Sequence, residues 1–267
     1  MTAMLGLLLC LGCDLPPAKT VSVASLPVDV ELVLAVDVSR SMHEEEFALQ
    51  REGYVAALRH PDFINAVRAG LYGRIALSYF EWAGTVRDGT QVPWGIIDSK
   101  ESADAFADML ERLPFDTYRG TSISGALSFG SNLFDANDFD GQRQVIDVSG
   151  DGPNNAGEPV LAARDRTLAQ GIIVNGLPIL INPSRTVEEL DRYYAECVTG
   201  GPGSFVLPIR DRAEFATAIR RKLVLEVSGT ESVPPVVRID AAVPFDCQKG
   251  ERDRRFFSDP FFPEVRP

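Results

Sequence analysis

Short apolar runs alternate along the chain with segments that have helical spacing. The apolar runs occupy residues 31–37, 74–82, 144–149, 172–180 and 205–209, and their length is typical of buried strands. Helical patterns follow at 41–58, 99–113, 122–134, 158–170, 187–196 and 212–227. Strands that alternate with helices build mostly parallel sheets with helices on both faces. The pattern therefore predicts a doubly wound α/β fold, with a short edge strand added at 91–97.

The first helix is expected to begin at Ser41, since residues 41–44 have the form of a capping box. Phe47, Tyr54 and Leu58 then recur on one helical face, and Pro61 is expected to end the helix. This places the helix start directly behind the first apolar run.

The composition is that of a folded, exported domain. The 267 residues are 45% hydrophobic and 24% charged, which is enough apolar material for one substantial core. A single domain over residues 28–228 is the simplest division of the chain. The formal net charge of −12 argues against binding to nucleic acid or to anionic lipid, because both would be repelled at long range.

The two ends of the chain differ from this domain. Residues 1–27 contain an apolar stretch that is much shorter than the roughly 20 residues that span a bilayer. A removable export signal is therefore expected, with a periplasmic or extracellular destination. Residues 229–267 contain repeated prolines that interrupt regular elements. They are predicted to form a tail whose Phe256-Phe257 and Phe261-Phe262 pairs dock on the domain or serve as a partner motif.

The cysteines support the same compartment. Gly12-Cys13 resembles the end of a bacterial lipobox, so a lipid anchor at Cys13 is one possibility and ordinary cleavage or an upstream start codon is the other. If Cys10 and Cys13 belong to that segment, Cys197 and Cys247 remain as a pair in an oxidising compartment. We predict that they form a disulfide, with two unrelated thiols as the alternative.

Oxygen-bearing side chains gather at three predicted element ends. Asp37 and two serines close the first apolar run, Thr121 follows a glycine where a helix is expected to start, and Asp151 begins an Asp-Gly turn after the run at 144–149. Hard cations such as Mg²⁺ take oxygen ligands. In doubly wound sheets, ligands bind beyond the carboxyl ends of strands where strand order reverses. The pattern therefore indicates a divalent-cation site.

The order Asp-x-Ser-x-Ser, Gly-Thr and Asp-Gly resembles the metal-ion-dependent adhesion site (MIDAS) of von Willebrand factor type A (vWA) domains, over residues 28 to about 228. The resemblance implies a metal shell made by Asp37, Ser39, Ser41, Thr121 and Asp151. It also implies Mg²⁺, or else Mn²⁺ or Ca²⁺, with a Glu or Asp of a partner protein or peptide completing the coordination. Residues 28–39 and 149–155 are similar to a bacterial family of secreted type A-like proteins with no assigned function.

Two other hypotheses compete with metal-dependent binding. Asp37 could act as a phosphoryl-transfer nucleophile beside Mg²⁺, but the second acid of haloacid-dehalogenase-type phosphatases is replaced here by Ser39. Alternatively, the metal could only stabilise the fold, with recognition carried by Trp82, Trp94 or the aromatic tail. Ser39 and Ser41 could then be a turn residue and a helix cap.

Hydrolytic chemistry has little support in the sequence. His43 and His60 are the two histidines of the chain, and neither a Gly-x-Ser-x-Gly elbow nor a His-Glu-x-x-His or Cys-x-x-Cys zinc spacing occurs. Residues 135–141 hint at a calcium loop, but their spacing departs from that of an EF-hand and favours a solvated turn. Asp147, inside a predicted strand, is expected to have a structural role. We therefore expect a binding module and not an enzyme.

Overall fold

The computed structural model describes residues 25–40, 44–181, 187–229 and 245–257. The strands in these ranges are β1 (Leu26–Val28), β2 (Glu31–Asp37), β3 (Ile75–Trp82), β4 (Val92–Ile97), β5 (Phe139–Gly141), β6 (Gln144–Gly150) and β7 (Ile173–Pro178). The helices are α1 (Glu44–Leu58), α2 (Pro61–Arg68), α3 (Lys100–Glu111), α4 (Ile123–Phe134), α5 (Val160–Ala169), α6 (Leu190–Tyr193), α7 (Phe215–Ser228) and α8 (Lys249–Phe257).

The main sheet has the strand order β4-β3-β2-β6-β7. All neighbours pair in parallel except β4, which runs antiparallel at the edge beside β3. The chain builds outward from β2 through β3 and β4, then crosses back to add β6 and β7 on the other side. Strand order therefore reverses between β2 and β6, which is where doubly wound sheets bind ligands.

Two apolar cores cover the two faces of this sheet. Every residue of β2 is buried, and alternate residues face opposite sides because the side-chain period of a strand is two. Leu32, Leu34 and Val36 join the core under α1, α2, α3 and α7, whereas Val33 and Ala35 join the core under α4, α5 and α6. The predicted α/β fold with helices on both faces is confirmed.

Several local predictions need correction. Residues 205–209 do not form a strand but make isolated bridges to Gly176 and Ile179, because Pro208 has no N–H to donate to a ladder. Pro61 ends α1 as expected but also begins α2, whose N-cap is His60, since proline suits the first helical position. The three-residue strands β1 and β5, which pair in parallel, were not predicted from the sequence.

The helix expected at 187–196 is short and distorted. It is regular only over α6, after which Tyr194–Val198 form a π-helical turn. Such turns re-aim side chains relative to a regular helix. Here the turn carries Tyr194 and Cys197, both fully buried against the sheet.

The C-terminal segment docks on the domain and is partly regular. Cys197 and Cys247 form a disulfide with their Cα atoms 5.5 Å apart, as expected from the cysteine count. The Phe245 ring lies 6.0 Å from that of Tyr193. The described part of the tail contains α8, which falls between Pro244 and Pro260 in the sequence and was not predicted. Docking of the segment through Phe245 and Cys247 agrees with the sequence-based expectation.

Some predictions fall outside the part of the chain that the structure describes. The export segment, with Cys10 and Cys13, lies there, as do Ser41, His43 and the Phe261-Phe262 pair. The side chains of Phe256 and Phe257 are likewise outside it. Within the described ranges, each helix is too short or too polar to cross a bilayer.

Candidate metal centre

Asp37 is the last residue of β2 and is completely buried at the switch point of the sheet. Its main-chain carbonyl accepts a hydrogen bond of 3.0 Å from Gln50 Nε2 of α1. Its Oδ1 accepts one of 2.7 Å from the Ser39 N–H. These contacts fix the carboxyl group in an Asp turn in which Ser39, exposed by only 1%, follows on the same edge.

Three loops meet around this carboxyl group. Ser39 forms a parallel bridge with Tyr118, which holds the β2 end against the loop before α4. Thr121 closes that loop, and its N–H donates to Asn155 Oδ1 at 2.8 Å while its carbonyl accepts from the Asn155 N–H at 2.8 Å. Asp151 follows β6, which is the direct neighbour of β2 in the sheet. The structure therefore brings Asp37, Ser39, Thr121 and Asp151 to one edge.

The glycines on both sides of Asp151 report how closely the loops approach. A Cβ atom added at Gly150 would lie 2.8 Å from Asp37 Oδ2, and one added at Gly152 would lie 3.9 Å from Thr121 Oγ1. Asp151 is itself exposed by only 3%. The end of β6 thus lies close to both the Asp37 carboxylate and the Thr121 hydroxyl.

One buried oxygen of Asp37 has no hydrogen-bond partner among the described residues. This atom is Oδ2, on the side of Gly150. Burial raises the pKa of Asp37 well above its ordinary value, and the Asp151 carboxylate raises it further. Hydrogen bonds from Ser39, and then from the Asp151 main chain, offset part of the effect. A buried carboxylate oxygen without a donor is costly. A cation at this edge would compensate that cost.

The donor set fits a hard divalent cation. Two carboxylates and two hydroxyls, from Asp37, Asp151, Ser39 and Thr121, are the oxygen ligands that Mg²⁺ and Mn²⁺ prefer. Within the described ranges, no group of three or more His, Cys, Asp or Glu side chains is placed to hold a metal. A cation here would consequently depend on the hydroxyls as much as on the carboxylates. Ser41, the remaining expected ligand, lies outside the described residues.

Sequence reasoning missed the residues that support this edge. Asn154 is completely buried; its Oδ1 accepts from the Ser124 N–H at 3.1 Å, and its own N–H donates to the Tyr193 hydroxyl at 3.0 Å. Asn154 therefore joins the β6 loop to the start of α4 and to α6. The only signal in the sequence was the pair Asn154-Asn155 after an Asp-Gly turn, a combination that is also common in ordinary loops.

Tyr194 is a second residue that the sequence did not nominate. Its buried hydroxyl has no hydrogen-bond partner in the described ranges. A Cβ at Gly150 would lie 2.8 Å from it and equally close to Asp37 Oδ2. Burial, and then the Asp37 carboxylate, raise the pKa of Tyr194 well above its usual range. The hydroxyl thus faces the sheet edge that carries Asp37, Ser39, Thr121 and Asp151, which we call the metal edge.

Other candidate residues have structural environments. Trp82 is completely buried, so the suggestion that it carries recognition is wrong. Trp94 is half-buried, and its Nε1 donates to the Leu133 carbonyl at 3.0 Å. His60 caps α2 and lies 2.8 Å from Arg220 Nη1. Asp147 lies 2.9 Å from the Lys222 ammonium, an arrangement consistent with the structural role expected for it.

The sequence profile of one family matches residues 27–231, and the description of that family is "Protein of unknown function (DUF1194)". The chain belongs to this family. DUF1194 is a vWA-like family, which agrees with the sheet order and the resemblance seen in the sequence. No functionally curated protein matches the chain of this DUF1194 protein.

Solved structures share the fold of the DUF1194 domain at low sequence identity. The pilus adhesin SpaC from Lactobacillus rhamnosus GG aligns with a TM-score of 0.55 at 15% identity, over 75% of this chain and 30% of the adhesin. A von Willebrand factor type A protein from Catenulispora acidiphila aligns at 0.50 and 16%, over 75% and 43%. Proximal thread matrix protein 1 from the mussel byssus, described with a zinc-occupied MIDAS motif, aligns at 0.51 and 19%, over 76% and 49%. The chain thus spans less than half of each of these proteins.

Proposed function

We propose that this DUF1194 protein is a divalent-metal-dependent binding module, exported from the cell, that recognises a carboxylate of another protein or peptide. The observation that carries the proposal is the buried Oδ2 of Asp37 at the switch point of the sheet, which has no hydrogen-bond partner within the described part of the chain. The proposed ligands are Asp37, Ser39, Ser41, Thr121 and Asp151, and the proposed ion is Mg²⁺, with Mn²⁺, Ca²⁺ and Zn²⁺ as alternatives for the same donors. Zinc is included because a structural neighbour carries it in its MIDAS motif.

The ligand chemistry supports binding of an acidic group. Two carboxylates would balance the charge of a divalent ion, and the hydroxyls would add no further charge. The ion would therefore remain a strong acceptor of one more oxygen ligand, and an octahedral ion retains positions for ligands from outside the protein. A Glu or Asp side chain of a partner supplies such an oxygen.

Binding is favoured over phosphoryl transfer by the position of Ser39. An aspartyl nucleophile needs a second group to move the proton of the leaving oxygen, and the residue two positions after Asp37 is a serine whose N–H already donates to Asp37. The proposal of export rests on the Cys197–Cys247 disulfide, since such bonds persist in oxidising compartments.

Calorimetric titration of the full chain with Mn²⁺, Mg²⁺ and Zn²⁺ tests the proposal. We expect saturable binding of at least one ion, lost in Asp37→Asn, which keeps the volume of the side chain but removes its charge. The matched control is Asp140→Asn, because Asp140 is an exposed aspartate on the β5 strand. Failure of the wild-type protein to bind any of these ions, alone or with an added acidic peptide, would refute the proposal. Retained binding in Asp37→Asn would refute the assigned site.

A further inference from the structure

A pocket of about 520 Å³ opens beside the candidate metal centre. Three loops form it: the β3–β4 loop, the loop before α4 and the loop before α5. We call it the arginine pocket, and its defining residues are Gly84, Arg87, Tyr118, Arg119, Gly120 and Ala156. Of the proposed metal ligands that the structure describes, none lines it.

The arginine pocket shares its walls with the metal edge. The Tyr118 N–H donates to the Val38 carbonyl at 3.1 Å, one residue after Asp37. Gly120 directly precedes Thr121, and the Ala156 N–H donates to the Thr121 carbonyl at 3.1 Å. The pocket is therefore immediately next to the proposed ion, so one ligand could occupy both.

Two guanidinium groups in this pocket lack acidic partners. Within the described ranges, no carboxylate lies at ion-pair distance from Arg87 or Arg119, and the buried Nε of Arg87 has no hydrogen-bond acceptor. The guanidinium carbon of Arg87 lies 3.2 Å from the centre of the Tyr118 ring. Stacking on an aromatic ring holds the planar donor group of arginine in a fixed orientation.

Several other arginines of this chain are paired with acidic residues. Acidic residues outnumber basic ones by 38 to 26, and Arg51, Arg59, Arg166 and Arg192 each form an ion pair with a glutamate. Arg87 and Arg119 are instead directed by their loops to a shared concave surface. Such a surface favours an anion from outside the protein.

Glycines line part of the arginine pocket, so main-chain atoms form its surface there. A Cβ added at Gly84 would lie 2.7 Å from the Arg119 carbonyl, and one at Gly120 would lie 3.1 Å from the Gly84 Cα. Gly120 also has φ +85°, in the region that side chains disfavour. Because the two loops pack backbone against backbone, the pocket is a fixed feature of the fold.

We infer that the arginine pocket binds a second carboxylate of the same acidic peptide whose first carboxylate completes the coordination of the metal. This inference rests on the proposed function. In an extended peptide, alternate side chains lie on one face about 7 Å apart, a spacing suited to two adjacent subsites. The preferred partner segment therefore carries acidic residues at alternate positions.

A peptide fits these observations better than a polyanionic glycan or nucleic acid. The planar fork of arginine matches a carboxylate through two parallel hydrogen bonds. The pocket offers only two arginines, and the net charge of −12 would repel a long polyanion. The ligand class is consequently a short acidic segment of a protein.

Fluorescence anisotropy with two labelled peptides tests this inference on the full chain with saturating Mn²⁺. One short Ser/Gly peptide carries two Glu residues at alternate positions, and the other has the second Glu replaced by Gln. We expect the wild-type protein to bind the two-Glu peptide about tenfold to a hundredfold more tightly, since hydrogen bonds between charged groups are strong. Arg87→Gln/Arg119→Gln should remove this preference and leave Mn²⁺-dependent binding of the one-Glu peptide unchanged.

The control is Arg112→Gln/Arg221→Gln, which removes the same charge from two exposed arginines outside the pocket and should keep the preference. Arg119→Gln alone is a second variant that is expected to fold normally, because the side chain of Arg119 is exposed and the loop uses only its carbonyl. It should lose part of the preference.

The outcomes separate the two proposals. Two results together support both: Asp37→Asn loses Mn²⁺-dependent binding of both peptides, and Arg87→Gln/Arg119→Gln loses the preference but still binds both peptides. A preference that persists in Arg87→Gln/Arg119→Gln, or that is absent in the wild type, overturns the arginine pocket but not the metal site. Stronger competition by a sulfated oligosaccharide than by the two-Glu peptide also overturns it. Absence of Mn²⁺-dependent binding of either peptide to the wild type overturns both.

Discussion

The side-chain amide of Asn154 donates a hydrogen bond of 2.9 Å to Glu251 Oε1 and thereby connects the loop after β6 to the C-terminal segment. The same carboxylate oxygen accepts from the N–H of Val160, the first residue of α5, at 2.8 Å. Pro159, the N-cap of α5, makes no side-chain cap of its own. Glu251 therefore caps a helix that lies far from it in the sequence.

Removal of this cap should destabilise the domain. We expect Glu251→Ala to lower the free energy of unfolding by about 1 kcal/mol, the usual cost of losing a helix N-cap. Urea denaturation monitored by circular dichroism measures it. Glu251→Gln is the matched control, because it keeps an oxygen acceptor and should cost less. Equal losses in the two variants would show that charge, and not the cap, matters.

The disulfide should account for a large part of the stability. Cys197 and Cys247 are 50 residues apart, and closing a loop of that length in the unfolded chain corresponds to about 4 kcal/mol. Reduction should therefore lower the denaturation midpoint of the wild-type protein strongly. Cys197→Ser/Cys247→Ser should have the low denaturation midpoint of the reduced wild type even without reductant, and adding reductant should not change it. A wild-type midpoint unchanged by complete reduction would contradict this.

The glycine before Asp151 should be essential for the metal edge, whereas the glycine after it should not. A Cβ at Gly150 would lie 2.8 Å from both Asp37 Oδ2 and the Tyr194 hydroxyl, but one at Gly152 would meet nothing nearer than 3.9 Å. We expect Gly150→Ala to cost about 1–3 kcal/mol of stability, as overpacking does, and to abolish Mn²⁺ binding. Gly152→Ala is the control and should retain both. Calorimetry measures Mn²⁺ binding and urea denaturation measures stability. Normal Mn²⁺ affinity in Gly150→Ala would argue against the assigned position of the ion.

A buried charge cluster under α7 should make stability depend on pH. The Lys222 ammonium lies 2.9 Å from Asp147 and 2.6 Å from Glu226, and Asn175 Nδ2 donates to Glu226 at 2.6 Å. Tyr54 of α1 faces the same group. Burial raises the pKa of Asp147 to about 7, although the Lys222 charge opposes the increase. One ammonium is thus shared by two carboxylates in a site closed to water.

The sign of this effect follows from proton linkage. Since the ordinary pKa of Asp147 is 3.8 and the folded value is about 7, the folded state binds more protons between those values. The contribution of Asp147 to stability is therefore complete below about pH 4 and is lost as the pH rises through 7. Urea denaturation between pH 5 and 8 should show the decline in the wild type and a smaller one in Asp147→Asn. The control Asp140→Asn changes an exposed aspartate and should behave as the wild type. A decline of stability in Asp147→Asn as large as in the wild type would show that Asp147 does not cause the pH dependence.

Local patterns in the sequence predicted much of the fold. The fully buried strand β2 is visible as an apolar run because both of its faces are covered, and Ser99 and Ser122 mark the starts of α3 and α4 as N-caps. Each of these signals depends on residues within about one or two helical turns. The strand predicted at 205–209 was wrong because Pro208, inside that segment, has no N–H to donate to a ladder beside β7.

Burial of charge could not be predicted from such patterns. Lys222 and Glu226 occupy ordinary helical positions in α7 and are each exposed by only 1%. They become core residues because β6 and β7 present Asp147 and Asn175 to the same space. The partner residues are about 50 to 75 positions away in the sequence, and periodicity contains no information about them.

The sequence by itself determined the order of strands and helices and the residue types at the metal edge, because apolar periodicity, capping and turn chemistry act over a few neighbouring residues. Only the tertiary structure decided which of these segments come together. It places Gly150 beside the Asp37 carboxylate and Gly152 beside the Thr121 hydroxyl. It also decided that Arg87 and Arg119 share one pocket. The physical reason is that strand order and loop packing bring together segments that no local interaction connects.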